Sequence, residues 1–542
     1  MSIPRSLPAR PSLESLRKQA KKLAREVAAG NADALGRARA QVLNLDPPLT
    51  QRNAQLVIAR EYGFAGWQEL TAEVGRRLGK GLEWAVAQAE RAIHGNAVEA
   101  LKALLAEYPE LLSWRADDSH GGLLDMATSA FGDAGDPERE RWFTRAACAE
   151  LLIDAGAVVQ PGVCEGLLRS RARGLLQLFH RKGLLPRTLK FHAALGDLAS
   201  VRAALAADGR DRRSVNEAFA CACRFSHDDV AKWLLERSIA LDPGLGERID
   251  GRTNRASFIE ALSKPDFAQV AEHGPWAVFV MEQVSRMLYG NELAAFVREL
   301  ESESWLLSDA WLDFQNGLIE TAACNRDRGQ FISALLELAP AILRHRPPYP
   351  SRAIEWAVMY KNTHLLPVLT RIWTVPDDLP HAAGLGNLER VKQWFDSAGA
   401  IRDLESHYPY NDGRARSHLR WYVPTAQQVL DVAFAFAVTN GHFDVANFLL
   451  EHGADIDTRW SSHEPASILH NLVFIPGSGD SMRYLVERGI DLTIKDYRWN
   501  ATAEGWARYA LRDEGLAAWL AEQQRQREQR GRAQAAATTE PS

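Results

Sequence analysis

The chain has 542 residues, 46% of them apolar, and a formal net charge of −5. That length and apolar content suit a long array or several domains with a sizeable core, and the acidic balance gives no support to a chain that binds nucleic acid over its whole surface. Five sparse cysteines (Cys148, Cys164, Cys221, Cys223 and Cys324) argue against a disulfide framework and fit a reducing cytoplasm. No apolar run approaches the roughly 18 residues of a membrane span, and the opening residues hold no apolar signal core.

The first predicted element lies near the start. Leu13, Leu16, Ala20, Leu23 and Val27 recur at helical spacing, opposite Arg17, Lys18, Lys21, Lys22 and Arg25. Such a helix packs its apolar stripe on a neighbour, and its basic face also suits a membrane surface or a nucleic-acid adaptor role. After Pro47-Pro48, the stretch LVIAREYGFAGWQELTAEV at 56–74 predicts a short helical unit anchored by Tyr62, Phe64 and Trp67. Residues 1–80 thus read as a helical leader that caps the first of the helical units beyond it.

From residue 81 the chain repeats itself. RAIHGNAVEALKALLA at 91–106, AACAELLIDAGA at 146–157, FHAALGDLASVRAALAADG at 191–209 and EAFACACRFSHDDVAKWLLERSIA at 217–240 share one pattern: an apolar helix, a tight turn and a second apolar helix. Residues 241–345 keep amphipathic helices with looser cues, such as RDRGQFISALLELAPAI at 326–342. The pattern returns in PHAAGLGNLERVKQWFDSAGA at 380–400, NGHFDVANFLLEHGADID at 440–457 and ILHNLVFIPGSGDSMRYLVERGI at 468–490. Gly196-Asp197 and His227-Asp228 are 31 residues apart, Arg328-Gly329 and Asn362-Thr363 are 34, and Gly479-Asp480 and Glu514-Gly515 are 35. Gly386-Asn387 and Gly441-His442 are 55 apart, which implies an insertion.

The 440–457 string, with its Gly-His turn, apolar stripe and closing Gly453-Ala-Asp, resembles the second helix and loop of an ankyrin repeat, whose period is about 33 residues. The leader is similar to that of some bacterial ankyrin-repeat proteins. The resemblance implies an all-α, ankyrin-repeat α-solenoid of stacked helix–turn–helix units with a short N-terminal helical leader. It divides the chain into degenerate repeats at 81–240, atypical helical repeats at 241–345, and repeats at 346–521. It also implies that His470, and by extension His192 and His381, are hydrogen-bonding braces between repeats. The polar stretch 522–542 reads as a disordered tail.

The insertion at 401–427 replaces a short inter-repeat loop. It carries Tyr408, Tyr410, Arg414, Arg416, Arg420, Trp421 and Tyr422, residue types that dominate binding hot spots. These are the candidate partner-binding residues, although a loop folded back over its own repeat fits the same composition. No catalytic, cofactor or metal site is expected. Gly79-Lys80-Gly81 lacks the hydroxyl of a phosphate loop, His463-Glu464 has no second histidine at the zinc-protease spacing, and Cys221-x-Cys223 has no second pair. The expectation is a monomeric, cytoplasmic protein-binding scaffold that is not an enzyme, with an unidentified protein partner. Two alternatives stay open: an effector or enzyme with its site in 240–345, and an adaptor acting through the basic helix at 12–28.

Overall fold

The computed structural model describes residues 7, 11–42, 47–64, 66–77, 81–115, 122–128, 145–208, 211–344, 352–397, 399–407, 425–458, 466–496, 499 and 501–538. Among the described residues the regular structure is helical, apart from an isolated bridge between Phe395 and Ile401. The architecture is the expected all-α, ankyrin-type helical-repeat solenoid. The chain forms two compact units, one of residues 1–127 with 145–160, the other of 128–144 with 161–542.

In the first unit the helices Leu13–Ala28, Ala32–Gln41, Gln51–Glu61 and Trp67–Arg77 make a small bundle. Each of the first three begins at a side chain that accepts a backbone N–H: Ser12 from Ser15, Asn31 from Ala34, and Thr50 from Asn53. Leu16, Ala20, Leu23 and Val27 are buried with Val57, Ile58, Leu70 and Val74. The apolar stripe of the basic helix is therefore spent on the bundle and is not free to enter a membrane. Its basic face stays exposed, and Arg17 reaches Glu107 at 3.1 Å. The hairpin of Leu82–His94 and Val98–Glu107 comes next.

The second unit is a stack of helical hairpins. First helices pack on first helices: Leu189–Leu195 on Arg212–Arg224, Leu312–Ala323 on Arg352–Met359, and Leu379–Gly384 on Ala426–Asn440. Small residues allow the approach, since Ala193, Ala194, Ala382, Ala383 and Ala433 are all buried. At Gly384 any side chain would collide with Val358 and Phe436. Lys190 joins three consecutive first helices, with Glu165 at 2.6 Å and Glu217 at 3.0 Å.

A second device recurs at the turns. The carbonyls at a helix C-terminus have no partner within the helix, and a side chain from the turn of a later hairpin supplies one. His227 hydrogen-bonds the Ala194 carbonyl at 2.9 Å, Arg328 donates to Leu288 and Tyr289 at 2.8 and 3.0 Å, and Asn362 donates to Ala323 at 2.9 Å. Asn440 donates to Val358 at 2.8 Å, and the His442 ring bonds the Gly384 carbonyl. Sequence identity varies while the joint is kept, which is why the repeats look degenerate yet stack alike.

The 241–345 stretch holds the helices Pro243–Asp250, Arg255–Ala261 and Phe267–His273, then two hairpins, Pro275–Tyr289 with Leu293–Ser302 and Leu312–Ala323 with Gly329–Leu338. At the other end the described part of the stretch expected to be a disordered tail is helical, as the continuation of Glu514–Thr538. Ala, Gln, Glu and Arg are strong helix formers, Ala517 and Leu520 are buried, and Arg527 donates to the carbonyls of Val486 and Ile490.

Candidate functional site

Two places carry more than stacking. The first is the root of the insertion. Tyr408, Tyr410, Arg414, Arg416, Arg420, Trp421 and Tyr422 lie outside the described residues, but both ends of the loop are defined. The chain leaves at His407, which is fully buried. The backbone N–H of Leu379 donates to His407 Nδ1 at 3.0 Å, and Nε2 meets the Arg402 carbonyl at 2.8 Å. An Nδ1 that accepts and an Nε2 that donates define one neutral tautomer. Burial holds the ring below the ordinary histidine pKa, against the pull of the Arg402 carbonyl. Trp394 meets the ring edge-on at 4.6 Å, and Arg390 lies 4.5 Å over Trp394 while pairing with Asp377 at 2.6 Å. The chain returns at Thr425, which forms a capping box with Gln428.

The second place is a cleft of about 540 Å³ in the 241–345 stretch. Its walls come from three helices. Phe267–His273 gives Gln269, Glu272 and His273; Pro275–Tyr289 gives Met281, Glu282 and Ser285; Leu312–Ala323 gives Asp313, Phe314, Gly317 and Thr321. The chain breaks between the first two at Gly274, with φ 86° and ψ 158°, and Pro275 opens the next helix. Trp311 forms the rim, 4.8 Å from His273 and 4.8 Å from Trp305. Gln315 fixes the connector by donating to the Leu306 and Ser308 carbonyls at 2.7 and 3.0 Å.

The lining contains Glu272, Glu282 and Asp313 and no lysine or arginine. Burial raises the Glu282 carboxyl, against weaker opposing pulls from Lys264 and Arg286. A raised carboxyl in a cleft is a candidate acid. Among the described lining residues, however, no nucleophile and base are hydrogen-bonded: Ser285 donates to Met281 and Thr321 to Gly317, both to their own helix. Among the described residues no cluster of three or more His, Cys, Asp or Glu side chains could hold a metal ion, and no helix is long and apolar enough to cross a membrane.

The histidine braces sit differently from the expectation. His470 does bridge repeats, accepting or donating at Ser467 Oγ (2.8 Å) and reaching the Ala501 carbonyl at 3.1 Å. His381 pairs within its own helix cap, with Asp378 at 2.8 Å, and His192 makes no side-chain hydrogen bond among the described residues. The turn histidines His227 and His442 do the bridging, and their place in the turn dipeptides was the available signal.

The C-terminal stack thus combines a small-residue first helix, a glycine turn and an apolar second helix. Residues 433–460 match the family model of the ankyrin repeat. The ankyrin match begins inside Ala426–Asn440, covers Phe443–Glu451 and includes Gly441, Gly453 and Asp455. It supports reading the chain as an ankyrin-repeat protein and, in general terms, a role in protein–protein interaction. No curated protein matches the chain.

Proposed function

We propose that the chain is a protein-binding scaffold whose specific contact is the insertion at 401–427, with Tyr408, Tyr410, Arg414, Arg416, Arg420, Trp421 and Tyr422 facing the partner. The observation that carries this reading is the root: a loop rich in Tyr, Trp and Arg springs from a buried His407 and a capping box at Thr425, both fixed to the stack. A rigid mount lowers the ordering cost of binding, and repeat stacks present extended surfaces to partners. The scaffold is a cytoplasmic monomer in this reading and takes no cofactor.

The test replaces 408–424 by a short Gly-Ser linker in the full chain and compares cross-linked partners in native lysate. A protein joined to wild type and lost from the linker variant supports the reading. A protein joined equally to both moves the contact elsewhere on the stack. The enzyme alternative has the raised Glu282 in its favour, while among the described lining residues no nucleophile is hydrogen-bonded to a base. The membrane-adaptor alternative loses its apolar face to the leader bundle.

A further inference from the structure

The cleft of the 241–345 stretch has three features that the stacking of hairpins does not require. Glu272, Glu282 and Asp313 share it, and among the described residues none of the three forms an ion pair or a side-chain hydrogen bond. Lys264 and Arg286, the cations nearest Glu282 in effect, neither line the cleft nor come within ion-pair distance. The floor holds Gly317, in the middle of Leu312–Ala323, where a Cβ would meet nothing within 4 Å. A helix-interior glycine weakens the helix relative to alanine. No close neighbour demands it here, so what it provides is room. The rim is aromatic, with Trp311 and Phe314 beside His273.

We propose that this cleft receives one arginine or lysine side chain presented by a partner polypeptide. The proposal rests on the protein-binding reading and adds a second contact to it. Charge complementarity selects the occupant: the lining holds Glu272 and Asp313, both exposed, and the half-buried Glu282 with no lysine or arginine beside them, and the aromatic residues Trp311 and Phe314 add a surface on which a cation can rest. A volume near 540 Å³ falls in the range of ligand-sized sites and accommodates a long side chain with its flanking backbone. The raised Glu282 carboxyl agrees with this, because a half-buried acid that Lys264 and Arg286 offset only in part is relieved when a further cation arrives.

The test selects a randomised short-peptide library against the full chain. Selected peptides are then measured on wild type, on the triple variant Glu272→Gln/Glu282→Gln/Asp313→Asn, and on Gly317→Leu, which fills the floor and leaves the charge. The expected peptides share one Arg or Lys. They lose at least about tenfold in affinity on the triple variant and on Gly317→Leu, and a like amount when that residue becomes citrulline or norleucine, the size of effect a charged hydrogen bond carries. The triple variant alters exposed and half-buried side chains, so it keeps the test usable if Gly317→Leu does not fold. Peptides that bind wild type and the triple variant equally would overturn the cleft proposal and leave the scaffold reading standing. Failure of any peptide to bind would overturn the cleft proposal, while the scaffold reading stands or falls by the linker variant. N-acetyl-arginine amide competing as well as the whole peptide would assign the cleft to a free small cation and overturn the polypeptide assignment.

Discussion

Gly386 and Gly441 allow the turn joints to be tested, because their backbones are alike and their surroundings are not. Gly386 has φ +73° and Gly441 φ +81°, so alanine is strained at both, by about 1–2 kcal/mol for a left-handed residue. At Gly441 an added Cβ meets nothing within 4 Å. At Gly386 it would lie 2.5 Å from His442 Nδ1, 2.7 Å from Cε1 and 2.9 Å from Cγ. The ring must then move, and the bond it makes to the Gly384 carbonyl is lost. An unsatisfied group at a half-buried joint adds about 1–3 kcal/mol. Gly386→Ala should therefore destabilise by about 2–5 kcal/mol and Gly441→Ala by about 1–2 kcal/mol. With His442→Ala as background, the Gly386→Ala increment should fall back to about 1–2 kcal/mol. Repeat arrays need not unfold in two states, so urea midpoints should be read with hydrogen exchange of peptides spanning 379–395 and 426–451. Equal losses at the two glycines, or no rescue in the double variant, would refute the joint. Gly196, with φ +76° and a Cβ 2.6 Å from His227 Nδ1, is an independent second case with the same expectation.

Acid should weaken the fold over a defined window. Burial holds His227, His407 and His442 below the ordinary histidine value, so their contribution is full above about pH 6.5 and is lost as pH falls through their folded values. Asp431 opposes this: burial raises it to about 6 despite bonds from Asp455 N–H and the Gln427 amide. Its contribution is full below about pH 4 and is lost as pH rises through 6. Asp431→Asn should steepen the acid loss below about pH 6.5 in urea midpoints taken at several pH values; an unchanged slope would contradict this. His407→Ala strips the acceptor from the buried Leu379 N–H and should destabilise by about 1–3 kcal/mol, with faster proteolysis of the loop it anchors. Phe434→Ala, at a fully buried site, should cost about 3–5 kcal/mol, read as early exchange in the C-terminal hairpins. Cys148, Cys164, Cys221 and Cys223 are buried free thiols raised by burial, so native labelling should reach Cys324 first and the other four only on unfolding.

Local pattern made much of this legible. The Leu16–Leu23–Val27 stripe, the turn glycines and the alanines of the first helices each follow from a spacing or a backbone need within one segment. The cleft was not legible. Glu272, Glu282, Asp313 and Gly317 come from three helices, and the looser repeat cues of 241–345 marked the region without naming these residues. The histidines divide the same way. His470 and His381 share a helix-start position, yet Asp378 captures His381 locally while Ala501 lies in reach of His470. In the described part of the tail, polarity hid strong helix propensity and the contacts of Arg527 with the Val486 and Ile490 carbonyls.

The most direct test of the scaffold reading is the affinity of an identified partner for the full chain and for Tyr408→Ala/Tyr410→Ala/Arg420→Ala/Trp421→Ala, titrated by calorimetry with hydrogen exchange as a control for folding. Hot-spot residues cost more than about 1–2 kcal/mol each on truncation, so the expected loss is at least about a hundredfold with the stack unchanged. Binding of both proteins with the same affinity would contradict it.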